Sequence, residues 1–91
     1  MCRNIRTLHN FDPPASSDEV HAAATQYIRK IAGTTRPSQA NQAAFDRAIA
    51  AVADVTETLL AELVTAAPKR NREAEARKAR ERAAKRYGAT A

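Results

Sequence analysis

Residues 38–66 read SQANQAAFDRAIAAVADVTETLLAELVTA, and this stretch decides the fold. Phe45, Ala48, Ile49, Val52, Val55, Thr56, Leu59, Leu60 and Leu63 fall on one stripe of a 3.6-residue period. Asp46, Arg47, Asp54 and Glu57 lie off it. Neither Gly nor Pro interrupts before Pro68. The pattern predicts one long amphipathic helix over about 38–66, roughly 40 Å in length. Ser38, after Pro37, is its candidate N-cap.

Working toward the N-terminus, a second helix is predicted over about 17–32. Ser16 and Glu19 have capping-box spacing, and Asp18 and Glu19 complement the positive end of the helix. Val20, Ala24, Tyr27, Ile28 and Ile31 form its apolar stripe. Arg29 and Lys30 fall in the last turn, and Gly33 is the natural C-cap. The two helices are joined by the short Thr34–Pro37 turn, so they form a hairpin. Ahead of them, residues 1–15 read as an arm with apolar residues Ile5, Leu8 and Phe11 three apart. Pro13 and Pro14 end regular structure there. Beyond Pro68, residues 69–87 are almost entirely Ala, Glu, Lys and Arg and predict a basic third helix opening on the proline. No strand pattern is evident. The chain is therefore read as all-α, with an arm-plus-hairpin domain over 1–66 and a basic helical tail over 67–91.

Composition narrows the function. The 91 residues include 22 Ala, only two Gly, no Trp, two Phe, two Tyr and one Cys. That excludes a glycine-rich phosphate cradle, an aromatic platform for single-stranded nucleic acid, an intramolecular disulfide framework and a four-thiolate zinc site. No run is apolar enough to span a membrane, and the N-terminus has no apolar signal region. The helices carry scattered carboxylates, and Ser16, Ser17 and Ser38 are accounted for as caps. A hairpin offers little concave volume, so no enzyme is expected, and no cofactor.

The long helix presents more apolar face than its shorter neighbour can cover. The arm, the alanine edge of the third helix (Ala76, Ala79, Ala83, Tyr87) or a second copy of the chain are the available covers. The arm together with self-association into a homodimer is the expected solution, because a chain this short makes a marginal monomer.

Charge is divided unevenly. Residues 69–87 hold nine cations (Lys69, Arg70, Arg72, Arg77, Lys78, Arg80, Arg82, Lys85 and Arg86) and three Glu, whereas residues 1–68 hold six cations and seven acids. The tail is thus a candidate for electrostatic contact with RNA, DNA or a ribonucleoprotein, non-specific because it has few groups that read bases. The plainer account is a solvated helix held by pairs such as Glu73–Arg77 and Glu81–Lys85.

A second candidate surface joins the arm to the first helix. Gln26, Arg29 and Lys30 lie at i, i+3 and i+4; Arg3, Asn4 and Arg6 stand nearby in the arm, and Asn41 follows the turn. An amide with several cations suits a phosphate, a carboxylate or an acidic segment of a protein partner. Cys2, beside Arg3 and Arg6, is a candidate reactive thiol. His9, His21, Asp12 and Glu19 could extend it to a metal site, but the spacing fits no compact ligand pattern, and none is assigned.

The opening Met-Cys-Arg-Asn-Ile (1–5), Pro13-Pro14, the stretch Gln26-Tyr27-Ile28-Arg29-Lys30-Ile31-Ala32-Gly33, and Arg36-Pro37-Ser38 with Asn41 and Phe45 resemble a bacterial family catalogued as domain of unknown function 2277. The resemblance covers roughly residues 1–65. Ala32 departs from it, since members often have Ser there. It implies a small cytoplasmic bacterial protein, frequent in high-GC soil and actinobacterial lineages, and brings no catalytic residue, cofactor or substrate. The function expected is a small non-enzymatic binding or accessory protein acting through the arm and first helix. Polyanion binding by the tail and a sensor centred on Cys2 are the alternatives.

Overall fold

The computed structural model describes residues 3–88. The all-α reading holds: α1 (Ser17–Ala32) and α2 (Gln42–Glu62) form an antiparallel hairpin, and α3 (Arg72–Gly88) follows. α1 is bounded as the sequence predicts. The Ser16 hydroxyl accepts from the Glu19 backbone N–H at 3.2 Å, and the Glu19 carboxylate accepts from the Ser16 N–H at 3.0 Å. At the other end Gly33 takes φ 76° and donates to the Arg29 carbonyl.

α2 is shorter than its 38–66 pattern at both ends. A single 3-10 turn, Gln39–Asn41, precedes it, and Ser38 caps that turn without a side-chain hydrogen bond. At the far end Leu63 turns extended, at φ −66° and ψ 135°. Val64 and Thr65 are β-branched and disfavour helix. The Thr65 hydroxyl also accepts from the Ala67 N–H at 3.0 Å, a local turn that competes with another helical round. The helix is therefore about 32 Å long rather than 40 Å.

The tail begins differently too. Pro68 does not open α3. Residues 70–71 run beside the arm, where β1 (Phe11–Asp12) and β2 (Arg70–Asn71) form a two-residue parallel ladder. Two-residue strands leave no alternation in a sequence, so none was visible. Asn71 caps α3, its side-chain oxygen accepting from the Ala74 N–H at 2.9 Å. Within α3 the ion pairs are Glu75–Lys78 at 3.3 Å and Arg77–Glu81 at 3.9 Å, in place of the Glu73–Arg77 and Glu81–Lys85 pairs expected.

The core is small. Val20, Ala24 and Ile49 are buried where α1 meets α2. The arm adds Leu8, half-buried beside Leu60. It does not reach the outer edge of α2, where Val55 is 68 % exposed and Leu59 53 %. The radius of gyration, 16.6 Å, compares with about 12 Å for a compact chain of this length. No helix of the described residues is long and apolar enough to cross a membrane.

This division of burial predicts unequal costs. Ile49→Ala removes a core contact and should cost about 2 kcal/mol or more, whereas Ile31→Ala, at a side chain 70 % exposed, should be nearly neutral. Urea unfolding of both variants at equal protein concentration checks the contrast.

Candidate functional site

Two polar constellations lie at different heights along α1, one at its first turn and one at its middle. The first is built around Glu19, in the first turn of that helix. Arg72, opening α3, meets its carboxylate as a fork, with Nη1 to Oε2 and Nη2 to Oε1 both at 2.9 Å. Arg6 of the arm adds a third contact at 3.2 Å. The same guanidinium of Arg72 donates from Nε to the Pro13 carbonyl at 3.0 Å, and it lies 5.3 Å from the centre of the Phe11 ring. Arg70 covers that ring at 5.9 Å. Asn10, at φ 65°, donates from Nδ2 to the Pro68 carbonyl at 2.9 Å, and its own carbonyl accepts from the Arg70 N–H at 2.8 Å. Arm, α1 and α3 are thus joined at one carboxylate, whose side chain is 21 % exposed. The Arg72 fork first, then the Ser16 N–H, hold Glu19 far below the usual carboxylate range, at about 2 against an ordinary 4.5.

The second constellation is the arm-to-helix surface. Arg3, Asn4, Gln26 and Arg29 line one open depression of about 480 Å³ with Ala22, Thr25 and Thr35. The Asn4 backbone N–H donates to Gln26 Oε1 at 2.7 Å, which fixes the arm against the middle of α1. No carboxylate of the described residues pairs with Arg3 or Arg29. Two guanidinium groups therefore face one hollow with hydroxyl and amide groups between them, an arrangement that accepts an anion.

Not every residue of the expected surface gathers there. Arg6 is turned to Glu19 instead, because a half-buried carboxylate shared with Arg72 attracts it more strongly than an open cationic hollow. Lys30 is exposed outside the depression, and Asn41 sits at the end of the 3-10 turn, exposed and without a capping bond. Thr25 and Thr35 complete the hollow and were not foreseen. They follow from helical spacing off Gln26 and Arg29 and from the return of the turn.

The tail cations divide as well. Arg70 and Arg72 belong to the body, whereas Arg77, Lys78, Arg80, Arg82, Lys85 and Arg86 are exposed along α3, and Lys69 is exposed in the connection before it. Arg80, Arg82 and Lys85 have no ion-pair partner among the described residues. Cys2 lies outside the described residues. Glu19, weighed as a metal ligand, is committed to two guanidinium groups, His21 is exposed on α1, and no group of three His, Cys, Asp or Glu among the described residues could hold a metal ion.

The chain belongs to the family described as uncharacterized conserved protein (DUF2277), whose model matches residues 1–78. The match runs past Pro68 and takes in Arg70 and Arg72, further than the 1–65 extent suggested by the sequence motifs. No curated protein and no solved structure matches the chain.

The Glu19 centre sets an acid limit. Folding lowers its carboxyl, so the stabilisation is complete above pH 4.5 and is lost as pH falls toward about 2. In thermal melts, wild type should exceed Glu19→Gln at neutral pH, and the gap should close across that window. Hydrogen exchange should show the Arg70 amide losing protection in Arg72→Ala, with the α1–α2 amides unchanged.

Proposed function

We propose that this family member is a small non-enzymatic binding protein of the bacterial cytoplasm, working without a cofactor, whose arm and first helix receive an anionic group of a partner protein. The observation that carries the reading is the pairing of Arg3 and Arg29 across a hollow with no carboxylate of its own. Two planar guanidinium groups favour a carboxylate or phosphate over other anions, because each offers a paired donor edge. The Asn4–Gln26 bond supports the same reading: it holds the arm in place before any partner arrives, so less order is lost on binding.

A second reading draws on α3. Arg80, Arg82 and Lys85 project from a helix whose residues 76–86 are all exposed, and such a helix suits the phosphates of RNA, DNA or a ribonucleoprotein. It would read no bases, so affinity should depend on salt and little on sequence.

A short polyglutamate peptide separates the two. Under the first reading, amide shifts in an NMR titration should centre on Asn4, Gln26 and Arg29, and the double variant Arg3→Glu/Arg29→Glu should abolish them. Shifts confined to α3 would overturn it. For the second reading, replacing Arg80, Arg82 and Lys85 by Ala should flatten the salt dependence of duplex binding by roughly two to three counterions.

A further inference from the structure

Two surfaces of this chain stand without a partner, and each supplies what the other lacks. One is the outer edge of α2. Val55 is 68 % exposed and Leu59 53 %, and just past the helix Val64 is 94 % exposed. Ala44, Ala48 and Ala51 continue the edge toward the helix start at steps of three and four, so a second backbone can come close. Residues 48–68 hold Asp54, Glu57 and Glu62 and no Lys or Arg. None of the three is ion-paired among the described residues; by helical spacing Glu62 lies on the Val55–Leu59 edge and Asp54 to its side, whereas Glu57 faces the arm with Leu8 and Phe11.

The other surface is α3 beyond its root. Residues 76–88 hold six Lys/Arg and one Glu. Ala76, Ala79 and Ala83 share one edge, with Arg80 and Arg82 to either side. That edge is small and flat, matched to a helix that also offers alanines, and its flanks are opposite in charge to the far half of α2. The lengths also agree: residues 48–62 of α2 and 76–88 of α3 each run about 20 Å.

The chain does not bring the two together itself. The Glu19–Arg72 fork and the β1–β2 ladder fix the root of α3 at the arm, and Val55 and Leu59 remain exposed with α3 in place. A second copy can. Pairing α2 with α2 along this edge would set Glu62 and Asp54 of one copy against the same pair in the other, which is repulsive; pairing α3 with α2 sets cations against them. The chain exposes 7233 Å², against about 5200 Å² for a compact protein of its mass, so it leaves more surface uncovered than its size requires.

We propose that the chain forms a two-fold dimer in which α3 of each copy lies along the Val55–Leu59 edge of α2 in the other. The exchange is reciprocal, so it closes at two copies rather than growing into a fibre. It acts through surfaces separate from the Arg3–Arg29 hollow.

The test is sedimentation of the full-length, nuclease-treated chain at micromolar concentration. Wild type should be a dimer at low salt and weaken as salt rises. Leu59→Lys, which removes the apolar contact and sets a like charge against α3, and Arg80→Glu/Arg82→Glu should each weaken it about tenfold or more. Both alter exposed positions, so each should keep wild-type helicity by circular dichroism. Mixed together, the two variants should form a heterodimer, since one intact α3 then meets one intact α2 and the other contact sets the introduced lysine against the introduced carboxylates. A monomeric wild type, a dimer indifferent to the α3 reversal, or a mixture that stays apart would overturn the proposal.

Discussion

One carboxylate ties the molecule together. Glu19 caps its own helix, holds Arg72 by a fork and takes Arg6 from the arm. The hairpin alone buries three residues, too few to position two flanking segments by packing. Polar geometry takes over that task. A forked, half-buried pair fixes direction as well as distance, which a contact between small apolar side chains does not. The neighbouring contacts depend on the same alignment: Phe11 under two guanidinium groups, the Pro13 carbonyl on Arg72, and the short ladder from Phe11 to Asn71.

That arrangement explains why the two ends of the chain behave so differently. The arm and residues 70–72 share hydrogen bonds across more than fifty positions of sequence, yet residues 76–86 further along α3 are exposed. A boundary drawn from composition at residue 66 follows the change in charge. The hydrogen bonds of the arm run across it, to the Pro68 carbonyl, the Arg70 N–H and the Arg72 guanidinium.

What could be read in advance was local. Ser16, Glu19 and Gly33 announce the ends of α1 because capping works over three or four residues, and the α2 stripe announces itself because helical period is a property of neighbours. The hollow was half legible: Gln26 and Arg29 share a face by spacing, while Arg3 and Asn4 enter only once the arm is docked. The Glu19–Arg72 fork was not legible. Glu19 already had a sufficient local explanation as a capping residue, and Arg72 was one of nine similar cations, so nothing in the sequence marked their meeting. The end of α2 departs from its sequence pattern for a related reason. The apolar stripe runs on through Leu63, but β-branched Val64 and Thr65 and the pull of Asn10 on Pro68 override it.

The remaining cations of α3 cannot serve every purpose at once. Arg80 and Arg82 laid against the carboxylates of a second copy are partly neutralised and turned away from solvent. Laid along a phosphate backbone, they leave the α2 edge bare. Both uses draw on the same charges and both weaken with salt, so salt dependence alone does not tell them apart. Apolar area does, because a polyanion has nothing to gain from Val55 and Leu59, whereas a second α3 gains contact with both. A substitution on α2 that leaves every cation in place is therefore the cleaner probe of which use the helix serves.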